Sequence, residues 1–348
     1  GVGPIHGLYT AIVPAVAGAA FGWSSHLVTG PTNATALVTA NVLAAGNAGQ
    51  NYLDRVFALA VLAGAIKLAL GLLRLGWIIR YVSHSVLTGF LTGAAVLIML
   101  SQIAGLLGLP RPASADSIGL VRDTLRALGQ TNQYVLLTSL VTMALLALFK
   151  RMRRGLPAEL LSIAIVGVAV HLLGWNSQGV RLVSDLGTLL DVSVAPHVPR
   201  LTPAEWQSLL PSAGAVALFS LVEAMSITRS VALSTGQAVN PSREFVGQGI
   251  ASLAGGLWQS LPSSGSLART AVNHSSGGRT RLAAALSGVF VLAALAGAGR
   301  FLAYIPVACL ASVVVVSAYQ LINRRQLALI WQGHLTSRLI MAATLAAT

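Results

Sequence analysis

Charge is scarce in this sequence. Only 9% of its 348 residues are Asp, Glu, Lys or Arg, where a soluble domain carries about a quarter. That deficit excludes a water-facing surface over most of the chain. With 55% hydrophobic residues and a mean hydropathy of +0.76, the solvent that fits is a bilayer. Acid is scarcer than base, nine residues against 22, for a net charge of +13. The excess does not point to nucleic acid. The basic residues form no single patch but fall in short loops between apolar runs, as the positive-inside rule expects. Cysteine is almost absent. Cys309 lies alone in an apolar run, which excludes a disulfide framework and a Cys/His metal pattern, and implies no metal site. Walker, His-Glu-x-x-His, Asp-rich magnesium and Gly-x-Ser-Gly motifs are all missing, so neither ATP drive on this chain nor enzymatic chemistry is indicated, and no cofactor is implied. No secretory signal opens the sequence. It starts at what reads as a span end and stops inside an apolar segment, so further spans are expected at both ends.

What is present is a series of apolar runs. A membrane-spanning helix needs about 20 mostly apolar residues. Candidates are 8–23, 56–79, 84–109, 133–149, 157–174, 207–228, 244–260, 281–299, 301–322 and 336 onward. Two stretches are too short to cross alone. One, 33–46, follows Gly30-Pro31-Thr32; the other, 267–274, follows Ser263-Ser264-Gly265-Ser266 and stops at Ser275-Ser276-Gly277-Gly278. Both come after a full span and a loop rich in Gly, Pro, Ser or Thr. Paired short segments at matching places in two halves point to an inverted-repeat transporter with its site between them. The competing reading is two re-entrant loops.

Loop charge tests part of this. If 267–274 completes a crossing, one face collects Arg74, Arg80, Lys150, Arg151, Arg153, Arg154, Arg229, Arg243, Arg279, Arg281, Arg324, Arg325 and Arg338. The other collects Arg55, Arg111, Arg122, Arg126, Arg181, Arg200 and Arg300. That asymmetry, thirteen against seven, is the expected one. If the segment only dips, the last six of these arginines change face and the split becomes nine against eleven. The richer face is then cytoplasmic, and 110–132 and 175–205 are outside loops. Residues 116–130 read as an amphipathic helix on the membrane surface. The sequons at Asn33 and Asn273 fall in the short helices and are read as accidental.

A short helix that begins inside a membrane presents unpartnered N–H groups and about half a positive charge, which suits an anion. The candidates are Gly30, Thr32, Asn33 and Ala34 on one side, and Gly265, Ser266, Leu267, Ala268 and Arg269 on the other. The hydroxyls of Thr32 and Ser266 are expected to donate to the anion directly. Arg269, in the first turn, adds positive potential; the alternative is a structural pairing with Glu223. Glu223 is the one carboxylate deep in a span, and shares its helical face with Ser220, Ser226 and Ser230. It is the candidate to bind and release a proton during transport, against a permanently paired structural carboxylate. Lys67 has no polar neighbours in its own segment, so snorkelling or capping of another element is expected. His171 and His274 read as packing residues.

The quoted residues then form a pattern. Gly7-Leu8-Tyr9-Thr10 with Val28-Thr29-Gly30-Pro31-Thr32 resembles a signature of the SulP (sulfate permease) anion transporters. Leu73-Arg74-Leu75-Gly76, Gly89-Phe90 with Gly93, and Ser101-Gln102 follow in the family's order. The most specific match is Asn240-Pro241-Ser242-Arg243-Glu244 with Gln248-Gly249, then Leu261-Pro262 through Arg269 and Asn273. The resemblance implies an all-α membrane protein built as a seven-plus-seven inverted repeat, here truncated at both ends. It implies a core domain (1–79 and 206–299) and a gate domain (80–175 and 300–348). It further implies an anion held between the two short helices, a homodimer, a cytoplasmic STAS domain on the full-length chain, and, in a bacterial member, the inner membrane. Glu223 matches a carboxylate that resembles a proton-coupling position in symporting members. Departures are the missing first helix, which in the family completes the pocket, and Ala268 where some members have serine. The expected function is secondary transport of a small anion of the sulfate, bicarbonate or carboxylate class by proton symport. An uncoupled exchanger or channel is the alternative, and a nucleobase permease of the same fold the next, though that would call for a carboxylate where Arg269 stands.

Overall fold

The computed structural model describes residues 2–44, 51–81, 84–110, 117–152, 157–186, 195–322 and 324–347. The chain runs α1 (Pro4–Phe21), β1 (Thr29–Gly30), α2 (Asn33–Ala44), α3 (Tyr52–Leu72), α4 (His84–Leu107), α5 (Ser117–Ala127), α6 (Gln133–Met152) and α7 (Ala158–Leu172). It continues with α8 (Pro203–Thr235), α9 (Pro241–Leu257), β2 (Ser264–Gly265), α10 (Leu267–Ser275), α11 (Arg281–Leu302), α12 (Val307–Leu321), α13 (Arg324–Gln332) and α14 (Leu335–Ala347). Every apolar run read as a span is a helix, and both short segments are short helices. The expected surface helix at 116–130 is α5 with one 3-10 turn, Leu128–Gln130.

Boundaries differ where backbone geometry intervenes. The run 56–79 does not stay helical: α3 ends at Leu72, Arg74 takes a left-handed φ of 56°, and Leu75–Tyr81 form a 3-10 helix. The turn seats Gly76 against α9, where its N–H donates to Ser242 Oγ at 3.3 Å. A Cβ at Gly76 would lie 2.6 Å from the Ser242 backbone nitrogen, so the approach needs glycine. The run 301–322 becomes a helix only from Val307, because Pro306 is its N-cap and α11 persists to Leu302. Helix α13 was expected to be loop. Its paired arginines interrupt the apolar signal, while Leu329 and Trp331 lie exposed on it as on an amphipathic helix.

The chain divides into two compact units, residues 1–82 with 191–298, and 83–190 with 299–348. In the first, α3 and α9 form the closest helix pair, with α1 on α9 and α8 on α3. Their proximity has a simple cause. A Cβ on Gly64 would meet the Leu253 backbone nitrogen at 2.5 Å, and one on Gly249 would meet that of Leu68 at 2.5 Å. Small residues let backbones touch, which supports helix packing where lipid removes the hydrophobic drive. Around them, Leu43, Val56, Phe57, Leu59, Leu209 and Val216 form the apolar core. Helix α8 starts with a full capping box: Thr202 Oγ1 accepts from Glu205 N, and Glu205 Oε2 accepts from Thr202 N at 2.8 Å.

In the second unit, α4 packs on α12 and α14, and α12 also packs on α6 and α7. Polar side chains there bond helical carbonyls: Ser312 Oγ donates to Ser139 O at 3.2 Å, and Ser139 Oγ to Leu106 O at 2.9 Å. Thr142 Oγ1 donates to Cys309 Sγ at 3.3 Å, so the lone cysteine is a buried packing residue.

Candidate functional site

The site is built on the smallest sheet possible. Strand β1 pairs antiparallel with β2, Thr29 opposite Gly265 and Gly30 opposite Ser264. Each strand leads at once into a short helix. Antiparallel pairing sends the two chains off in opposite directions, so α2 and α10 leave from opposite ends of one ribbon with their N-termini at it. Helix α2 has 12 residues and α10 has nine, about 18 and 14 Å, each roughly half of a 30 Å hydrocarbon core.

Both N-termini are closed by the same device. Thr32 Oγ1 accepts from Thr35 N at 3.1 Å, and Ser266 Oγ accepts from Arg269 N at 3.5 Å. A hydroxyl cap consumes the third N–H of a helix and leaves those of the first two residues without intrahelical partners. These belong to Asn33 and Ala34 on α2, and to Leu267 and Ala268 on α10. Leu267 is 49% exposed, so what it offers a ligand is its backbone. The expectation that both cap hydroxyls donate to an anion is therefore modified at Thr32. Its oxygen holds the cap, and its proton faces Thr35 Oγ1 at 2.8 Å or Glu223 Oε2 at 3.1 Å.

Glu223, on α8, is buried beneath α2. Its Oε2 accepts from the hydroxyls of Thr32 and Thr35, each at 3.1 Å. A buried carboxylate needs such partners. Ser264 Oγ donates to Ser220 O at 2.9 Å, so α8 is bonded to the end of the ribbon where Gly30 pairs with Ser264 and α2 begins. Of the serines expected on its face, Ser220 is buried while Ser230 is exposed.

Arg269 reaches from α10 across Gly30 to the other half: Nη2 donates to Pro31 O at 3.0 Å. The guanidinium fills the space a Gly30 Cβ would occupy, which explains glycine there. Among the described residues no ion pair joins Arg269 to Glu223, so the structural-pairing alternative is not what the geometry holds. The arginine lies instead beside the α2 N-terminus, where its charge adds to the helix dipole.

Lys67 is completely buried, which rules out snorkelling. It caps: Nζ donates to Ser263 O at 2.8 Å and to Ser252 Oγ at 2.9 Å. Sequence reasoning missed these partners and Thr35, and quoted Ser264 and Gln248 within motifs without assigning them a role. Gln248 Nε2 donates to Thr29 Oγ1 at 2.8 Å and Thr270 Oγ1 accepts from Val28 N at 3.0 Å, fixing the ribbon from α9 and α10. The one signal within reach was the Thr32-x-x-Thr35 spacing, a cap with a second hydroxyl on the same side. His274 stacks edge-on against His26 at 5.2 Å and His171 against Tyr304 at 5.7 Å, as packing residues do. Asn273, in the second sequon, donates to His26 O at 3.0 Å inside the fold.

Helices of membrane-spanning length and composition (α3, α6 and α8 among the described residues), with two opposed half-helices on one ribbon, define a multi-pass membrane protein of the inverted-repeat type. The chain belongs to the sulfate permease family, whose model matches residues 1–344. It is 28% identical over its whole length to YvdB of Bacillus subtilis, covering 65% of that protein. It is 27% identical over 95% of its length to sulfate transporter 4.1, chloroplastic, of Arabidopsis thaliana, covering 49% of that one. The chain thus spans about half to two thirds of the curated relatives it matches. Among solved structures, the transmembrane domain of a cyanobacterium bicarbonate transporter, BicA, superposes with a TM-score of 0.83 at 24% identity, over 100% of this chain and 88% of that one. That likeness shows the fold, the inverted repeat included.

Proposed function

We propose that the protein is a secondary transporter of a small anion, binding it between the N-termini of α2 and α10 and coupling its passage to a proton on Glu223. The observation that carries the reading is the juxtaposition at the ribbon: two capped helix N-termini and Arg269 on one side, a buried carboxylate on the other. The free N–H groups of Asn33, Ala34, Leu267 and Ala268, with the Ser266 hydroxyl, take the oxyanion, and Gly265 lets it approach the backbone. Arg269 supplies the charge that draws the anion in. Glu223 lies behind Thr32 and opposes an anion while ionised; a proton removes that repulsion, so anion and proton travel together.

Movement of the unit that holds the ribbon, as core, against the other, as gate, would carry the site across the bilayer, as in repeat-built transporters. The names of the relatives and of BicA support sulfate or bicarbonate as the substrate class. The family resemblance adds a homodimer, a cytoplasmic STAS domain on the full-length chain and, for a bacterial member, the inner membrane.

The test is uptake of labelled anions by the full-length protein in proteoliposomes, with and without an inward proton gradient, beside Glu223→Gln. The reading expects gradient-driven accumulation in the wild type, and its loss in the variant with anion exchange preserved. Flux that ignores the gradient in both proteins would make Glu223 structural and the protein an exchanger or channel.

A further inference from the structure

We infer that Lys67 supplies a positive charge to the occupied anion site and so sets the charge of the anion carried, selecting dianions over monoanions. The inference rests on the transport reading above and deepens it to the valence of the substrate. Lys67 sits on α3 with no exposed surface. Its ammonium donates to two neutral acceptors, the Ser263 carbonyl and the Ser252 hydroxyl, which is itself 3.0 Å from Ser263 Oγ. Among the described residues it makes no ion pair. A structural lysine this deep would gain most from a carboxylate in direct contact. Here the Glu223 carboxylate is held by the Thr32 and Thr35 hydroxyls, and the lysine is fastened instead to the residue immediately before β2. Its charge is thereby held one residue from the ribbon on which α10 begins.

The elements packed on α3 add few other charges. Helix α2 carries none. Helix α8 brings Glu223 to the ribbon, with Glu205 in its first turn and Arg229 in its last third; Arg269 comes from α10, which packs on α8. On α9, Glu244 faces the chain after α1, accepting from Trp23 N at 3.0 Å and Ser24 N at 2.9 Å; Arg243 of the same turn lies over the Trp23 ring.

The charge balance follows. With Glu223 protonated, Lys67 and Arg269 leave the site two positive charges, and a bound dianion neutralises both. A monoanion would leave one unbalanced charge in a dry interior, which is costly. Without Lys67 the side-chain count falls to one and the preference for a dianion weakens. The two helix N-termini add to the same positive potential, which acts on a dianion twice as strongly as on a monoanion, so losing Lys67 removes only the part of the dianion preference that its charge supplies.

The experiment compares labelled sulfate with labelled perrhenate, tetrahedral oxyanions that differ by one charge, in proteoliposomes of the full-length protein. Lys67→Gln keeps a donor for Ser263 but no charge. Its sulfate-to-perrhenate uptake ratio is expected to fall by about tenfold or more. Ser252→Ala loosens the same cluster and keeps the cation, so its ratio should stay within about twofold of wild type. An unchanged ratio in Lys67→Gln, or an equal fall in Ser252→Ala, overturns the inference and leaves the transport reading intact. Should Lys67→Gln fail to fold by size-exclusion, Lys67→Arg carries the test: it retains the charge, and a tenfold fall in its ratio would overturn the inference. Wild-type vesicles that take up neither these nor any other anion would remove the transport reading and this inference with it.

Discussion

At the scale of residues, the site is a matter of where isolated charges find partners. Glu223 and Arg269 stand out in the sequence because charge inside an apolar run is costly and therefore placed with purpose. Lys67 stands out for the same reason, yet its partners lie 185 and 196 positions away, beyond the reach of any local pattern. Arg269 was legible as a cation near a helix start, but not its hydrogen bond to Pro31 O, which joins the two halves. Removing it as Arg269→Ala should raise the KM for the anion by about tenfold or more, since hydrogen bonds to charged groups are worth about 1.5–3 kcal/mol. The maximal rate should change less. A KM equal to wild type would place the guanidinium outside the anion's field.

At the scale of elements, hydropathy located the spans because each apolar run must satisfy its backbone within itself. It missed α13, whose arginines break the run, and overextended α3, whose end depends on the left-handed turn at Arg74 and on Gly76 meeting α9. The close packing of α3 on α9 yields a paired prediction. Gly64→Leu forces a side chain against backbone that cannot give way, and should lower the detergent melting temperature sharply, consistent with a cost of at least about 1–3 kcal/mol for overpacking. Gly214→Ala lies in α8 with open space around it, and should raise stability by about 0.4–1 kcal/mol. Equal effects of the two would contradict the packing account. Thr202→Ala, which dismantles the capping box of α8, should cost about 1 kcal/mol in the same assay, and Thr202→Ser should restore most of it.

At the scale of the molecule, arginine placement predicts sidedness. Helix α8, about 50 Å long, has Arg200 before it and Arg229 near its far end, with the richer basic face beyond. Cysteines placed at Ala204 and Ala238, both exposed at opposite ends of this helix, should label with an impermeant thiol reagent only from outside and only from inside, respectively. The buried native Cys309 gives little background. Labelling of both from one side would undo the topology. The inverted relation of the halves was legible from two short segments about 235 positions apart; that their strands pair with each other was not, because a two-residue ribbon leaves no periodicity to read.

The central claim is that an anion binds between the start of α2 and the start of α10. The most direct measurement is a structure of the full-length protein with selenate, located by the anomalous signal of selenium. The account predicts one peak within hydrogen-bonding reach of the backbone nitrogens of Ala34 and Ala268 and beside the Arg269 guanidinium, lost when Arg269→Ala is soaked at the same concentration. Selenate bound elsewhere in the protein, with that space empty, would contradict it.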